Sequence, residues 1–88
     1  MEIKKTATAG TLESSDAYVV AEPFDTLEVD LTSVVYEQFK DEIISQVKAV
    51  TDALGVSKAK ITINDRGAVD CVIRARVETA LKRAGGEM

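Results

Sequence analysis

Val35, Phe39, Ile43, Val47, Val50 and Leu54 recur at spacings of three or four residues, and that stripe constrains the fold more than any other feature of the chain. Apolar residues so spaced line one face of an α-helix, and that face has to be buried against something. Thr32 or Ser33 can cap its start, and Gly55 is placed to end it. Glu37, Lys40, Asp41, Lys48 and Asp52 fall on the opposite, hydrated face. A second helix is expected from about Ala68 to Ala84. There Asp70, Arg74, Glu78 and Lys82 form an alternating-sign ladder four residues apart, which marks a solvent face. Lys82 and Arg83 suit the negative end of that helix, and Gly85-Gly86 terminates it.

The surface these helices need is supplied by strands. Leu27, Val29 and Leu31 alternate with Glu28, Asp30 and Thr32, and Ala59, Ile61 and Ile63 alternate with Lys58, Lys60, Thr62 and Asn64. Period two means one buried face. Ala17-Tyr18-Val19-Val20-Ala21 has β-branched and aromatic character and stops near Pro23. Thr11-Leu12-Glu13 is placed to pair with it as a hairpin. Residues 1–10 lack helical spacing and read as an extended, mobile N-terminal arm. The order strand, strand, strand, helix, strand, helix implies an α+β two-layer sandwich, a small mostly antiparallel sheet with two amphipathic helices on one face. Its outer face would turn Glu28, Asp30, Lys58 and Lys60 toward water or partners. The 88 residues are expected to form one domain, 1–88.

Several function classes drop out on composition. The net charge of −4 argues against nucleic acid, which requires a basic surface. The charge is uneven, with four lysines against eleven carboxylates in residues 1–57 and seven basic groups against four acidic ones in 58–88. A basic partner is therefore expected at the acidic part. No run approaches the roughly 18 apolar residues of a membrane span, and Met1-Glu2-Ile3-Lys4-Lys5 lacks a signal-peptide core, so a cytoplasmic location is expected. One cysteine and no histidine leave no disulfide and no credible zinc set.

Gly10-Thr11-Leu12-Glu13-Ser14-Ser15-Asp16 places two hydroxyls between acidic residues at an expected chain reversal. A catalytic serine needs a base beside it, and the usual imidazole is absent. Ser14 on an exposed tip therefore reads as a point of attachment rather than a nucleophile, against the plain alternative of a polar turn residue. Glu13 and Asp16 would repel an attached phosphate, weakly at an exposed tip, and can equally serve a modifying enzyme as an address.

Gly10–Asp16, Val34-Val35-Tyr36-Glu37-Gln38-Phe39 and the run Asp65–Glu78 resemble, in register, the acyl carrier (gamma) subunit of bacterial citrate lyase. The resemblance spans nearly the whole chain. It implies a non-catalytic carrier with a phosphoribosyl-dephospho-CoA group attached to Ser14 by a phosphodiester, within the flanking recognition residues Gly10, Glu13, Ser15 and Asp16. In that family glycine is common at the position of Ser15, so this chain has a second serine beside the one implicated. The resemblance also implies partners: an alpha subunit that transfers acyl groups, a beta subunit that cleaves the citryl thioester, a holo-carrier synthase that attaches the arm and a ligase that acetylates it. Cleavage of citrate to acetate and oxaloacetate would be the work of the complex. The related carrier subunit of malonate decarboxylase is the nearest alternative, and an unmodified structural or regulatory subunit is a rival from another class.

The remaining candidates favour plain readings. Cys71 lies in a helix with no histidine to lower its thiol pKa and reads as a small, partly buried core residue. Arg74 and Arg76 could meet phosphates, but each reads first as part of a solvated helix face. Asp65-Arg66-Gly67 has too few donors or ligands for a phosphate or metal loop and reads as a turn. Glu37, Asp41 and Glu42 read as hydrated acids. No residue set supports catalysis by this chain, and no metal is expected.

Overall fold

Buried apolar residues at alternate positions, Ala17, Val19 and Ala21 in β2 (Ala17–Glu22) and Ala59, Ile61 and Ile63 in β4 (Ala59–Asp65), make these two strands the centre of a four-stranded sheet. The computed structural model describes residues 1–34 and 36–87. The sheet order is β1-β2-β4-β3, with β1 at Ala7–Gly10 and β3 at Leu27–Ser33. β1, β2 and β4 pair antiparallel, whereas β3 lies parallel to β4. A parallel pair needs a crossover, and helix α1 (Tyr36–Leu54) supplies it. Helix α2 (Asp70–Ala84) follows β4 and lies against β1, β2 and α1. The α+β sandwich expected from the pattern is the fold observed.

Register stacks one face into apolar rows, Ala9-Val19-Ile63-Leu31 and Ala7-Ala21-Ile61-Val29. Val19, Ala21, Ile61 and Ile63 are fully buried there, with Val47 of α1 and Ile73, Val77, Ala80 and Leu81 of α2. Each such branched side chain contributes about 1.5–3 kcal/mol by leaving water. The other face carries Tyr18, Glu22, Glu28, Asp30 and Lys60, half-buried or exposed.

Four details differ from the sequence expectation. The hairpin partner of β2 is Ala7–Gly10, and Thr11–Glu13 belongs to the connecting loop. Part of the N-terminal span is thus held in the sheet; Ile3 is buried, and the Lys4 and Lys5 N–H groups both donate to the Ala84 carbonyl oxygen. Phe39, a member of the helical stripe, is 45% exposed, whereas Ile43, Val47 and Val50 further along the stripe are buried. Val35 and the side chain of Glu37 lie outside the described part. Cys71 is exposed, since the buried stripe of α2 runs through Ile73, Val77, Ala80, Leu81 and Ala84 and leaves it on the outer surface. Gly55, at φ +66°, ends α1 in the left-handed conformation anticipated for it.

Candidate functional site

The chain from Gly10 to Asp16 leaves one strand and enters its antiparallel neighbour, so the heptapeptide is the hairpin loop. Within it the Asp16 N–H donates to the Glu13 carbonyl at 3.1 Å, closing a turn over Glu13-Ser14-Ser15-Asp16. Of its two central residues only Ser15 has positive φ, +67°, which is the pattern of a type II turn. The Ser15 N–H donates to the Arg66 carbonyl and the Arg66 N–H to the Asp16 carbonyl, both at 2.9 Å. Two residues thus face one across the ladder, a G1 bulge whose first position, Ser15, glycine ordinarily occupies in the left-handed region. Ser14 is left exposed at the outermost corner.

Asp16 anchors the loop. Arg76 of α2 grips its carboxylate with two bonds, Nε to Oδ1 at 2.9 Å and a terminal guanidinium nitrogen to Oδ2 at 3.3 Å. Thr11 Oγ1 donates to Oδ2 at 2.7 Å, and the Ala17 N–H to Oδ1 at 2.7 Å. The Arg76 hydrogen bonds foremost, then those of Thr11 and Ala17, hold this carboxyl well below the usual carboxylate range. Thr11 in turn accepts the Glu13 N–H at 3.2 Å. Gly10, at φ +88°, allows the entry: a β-carbon there would collide with the Ala17 carbonyl oxygen and crowd Cδ of Arg76.

The turn after β4 completes the support. Asp65, 1% exposed, accepts the Ser33 hydroxyl at 2.7 Å and the N–H groups of Gly67 and Ala68 at 3.2 and 2.9 Å. This fixes the Arg66 backbone that grips the loop. The two motifs distant in sequence, Gly10–Asp16 and Asp65–Glu78, therefore meet in space through Arg66 and Arg76.

Gly10 and Asp16 are brought together with Arg76, while Glu13, Ser14 and Ser15 project outward. Sequence reasoning undervalued Arg76, read as a solvated residue, and Asp65, read as a plain turn. The signal for Asp65 was present, because an aspartate two residues before glycine commonly bonds the backbone ahead of it. Nothing local marks Arg76, whose partner is 60 residues away. Arg66, exposed beside the turn, forms no ion pair among the described residues.

The loop presents the Ser14 and Ser15 side chains at its tip and is braced from behind by Arg66 and Arg76. A sequence model of an acyl carrier protein family, described as malonate decarboxylase delta subunit (MdcD), matches residues 4–84. A citrate lyase acyl carrier protein of Haemophilus influenzae (strain PittEE) is 47% identical over 99% of this chain and 92% of its own length. One from Clostridium perfringens (strain 13 / Type A) is 54% identical over 96% of this chain and 85% of its own. The chain belongs to the citrate lyase acyl carrier protein family, and is a carrier subunit rather than a catalytic one. A chain in the crystal structure of a Pseudomonas malonate decarboxylase hetero-tetramer in complex with malonate shares the fold, with a TM-score of 0.81, 24% identity and coverage of 94% of this chain and 87% of that one. No helix of the described residues is long and apolar enough to cross a membrane.

Proposed function

We propose that this chain is the acyl carrier subunit of a citrate lyase complex and bears a phosphoribosyl-dephospho-CoA arm on Ser14, through a phosphodiester. The observation that carries the assignment to Ser14 is the left-handed backbone of Ser15. Glycine is expected at the position after the modified serine, and Ser15 occupies the one position of this loop, after Gly10, whose conformation favours glycine. Ser14 then falls at the exposed corner where a modifying enzyme can enclose its hydroxyl.

The residues present fit such a group. Ser14 is exposed, Asp16 is already engaged by Arg76 and so adds little repulsion, and the exposed Arg66, whose backbone bonds Ser15 and Asp16, adds a cation to the neighbouring turn. When bound, the group supplies a thiol that carries acetyl and citryl as thioesters. The chain holds the anchor still, keeps the hydroxyl oxygen away from reactive neighbours, and offers no imidazole that would attack a thioester. Tethering makes each visit to a transferase or lyase subunit intramolecular, at effective concentrations of about millimolar order. The location this implies is the cytoplasm, with the alpha and beta enzyme subunits, the holo-carrier synthase and the acetate ligase as partners.

A carrier for malonate decarboxylase is the second reading, favoured by the description of the matching family. Relatives named for citrate lyase at 47% and 54% identity weigh against it. The deciding experiment is intact mass and peptide fragmentation on protein made together with the arm-synthesising and arm-attaching enzymes. An added nucleotide-containing mass on Ser14 is expected. The same mass on Ser15 moves the site, and unmodified protein under conditions that load a known carrier rejects the function.

A further inference from the structure

A cleft of about 400 Å³ opens between the first turns of α1 and α2, walled by Phe39, Ile43, Ala68, Val69 and Ile73. Its rim is unusually apolar for open surface: Phe39 is 45% and Val69 63% exposed, and Val34, which follows β3 at the same end, is 61% exposed. Three carboxylates share the lining; Asp65 is engaged by the Ser33 hydroxyl and the Gly67 and Ala68 N–H groups, which leaves Glu42 and Asp70 for the rim. Asp70 raises the Glu42 pKa, foremost as a hydrogen-bond partner for the protonated form and then by its charge. Gln46 Nε2 donates to Asp70 at 3.4 Å. Neither carboxylate takes part in the ion pairs found between the described side chains, Asp16 with Arg76 and Glu78 with Lys82.

We infer that this cleft is where the enzyme subunits of the complex dock, by inserting an apolar side chain that has a lysine or arginine beside it. The inference rests on the carrier reading. Exposed phenyl and isopropyl groups gain by leaving water, and a partner cation meeting two adjoining carboxylates removes their mutual repulsion while gaining their joint attraction. The acidic lip repels anionic occupants, so the nucleotide arm is a poor tenant. The one exposed aromatic with a cation over it that a second copy offers among the described residues is Phe24 with Lys60, whose ammonium lies 5.9 Å from that ring beyond the opposite end of β2. Such head-to-tail contact would give rings or filaments rather than a two-fold dimer.

Position links the cleft to the anchor. Gly67 lines the cleft, and its neighbour Arg66 holds Ser15 and Asp16 by backbone bonds. A subunit seated here therefore lies next to the Ser14 turn, with the loop braced against the docking surface itself.

The test is titration calorimetry of the full-length carrier against purified acyl-transferase and acyl-lyase subunits, with each variant's melting curve recorded. Phe39→Ser and Val69→Ser are expected to weaken binding at least about tenfold, as truncation of central apolar anchors does. Glu42→Gln with Asp70→Asn should weaken it about three- to tenfold and flatten its salt dependence. Phe24→Ser, at the far end, should change it less than about twofold, within the range of non-hot-spot truncation. Should Phe39→Ser not fold, Val69→Ser carries the apolar arm alone. Unchanged affinity in folded cleft variants, or an equal loss in Phe24→Ser, overturns the docking site and leaves the carrier reading standing. Wild-type protein that binds neither subunit overturns both. Self-association of the wild type abolished by Val69→Ser would place a second copy in the cleft and also overturn the proposal.

Discussion

Replacing Ser15 with glycine removes a β-carbon from a residue held at φ +67° in a bulge built for glycine. The left-handed conformation costs an L-residue about 1–2 kcal/mol, which glycine avoids. Against this, glycine loses more freedom on folding, worth about 0.4–1 kcal/mol. The difference predicts that Ser15→Gly stabilises the protein by about 0.5–1 kcal/mol. For a domain of this size each kcal/mol moves Tm by about 4–8 °C, so a rise of about 2–8 °C is expected in a calorimetric or circular-dichroism melt. Ser14→Gly is the internal control. Ser14 has no positive φ, so glycine there brings only the entropic loss and should lower Tm by a comparable amount. The mass experiment reads the same geometry chemically, because Ser15→Gly should still be loaded and Ser14→Gly should not. Equal shifts for the two variants, or a fall in Tm for Ser15→Gly, would refute the assignment of the bulge and with it the argument that singles out Ser14.

Gly10→Ala should be destabilising by more than about 2 kcal/mol, since it combines left-handed strain with a collision at the Ala17 carbonyl; normal amide-exchange protection at Ala17 and Tyr18 in this variant would contradict the geometry. Arg76→Met should raise the titration midpoint of the Asp16 carboxyl, followed by carbon NMR, toward the ordinary value near 3.9. Because the folded pKa of Asp16 lies below the unfolded one, its stabilising contribution is present above about pH 4 and fades as pH falls through the folded value; the variant's stability deficit should shrink over that acid range. Glu42 has the opposite sign, its folded pKa being raised by Asp70, so above that value two like charges oppose folding. Glu42→Gln should therefore raise Tm at neutral pH and lose that gain as acid protonates the wild-type residue; a gain constant with pH would count against the pairing.

What the chain discloses in one dimension depends on how local the cause is. Ile61 and Ile63 alternate with polar residues, and β4 is legible because strand and burial share that period. β1 is not, for Ala7-Thr8-Ala9-Gly10 has small side chains with little contrast between its faces. It is a strand through its partners: β2 on one side, and Arg83, whose guanidinium donates to the Thr8 carbonyl at 2.9 Å. Phe39 exposes the other limit of periodicity, which identifies a helical face without saying whether anything lies opposite it. The exposed serine was readable from turn chemistry, whereas its brace from α2 depends on how the chain closes back on itself.

The charge around the serine shows what that closure accomplishes. In sequence Ser14 stands between two acids, Glu13 and Asp16, and a phosphate attached there would face repulsion from both. The fold separates them in role. Asp16 turns back to Arg76, Thr11 and the Ala17 N–H, and its negative charge is met at bonding distance by a guanidinium. Glu13 stays exposed, and so does Arg66, whose backbone bonds Ser15 and Asp16 from the neighbouring turn. The loop thus leaves one exposed acid, Glu13, uncompensated, where the sequence displays two. The bonds that give Asp16 its low pKa hold its carboxylate, while the backbone bonds of the turn and bulge, Asp16 N–H to Glu13 and Ser15 N–H to Arg66, hold Ser15 in the conformation that leaves Ser14 exposed. Compensation of the Asp16 charge and exposure of Ser14 thus rest on two adjoining sets of contacts that meet at Asp16, and a substitution at Arg76 acts directly on the first of them.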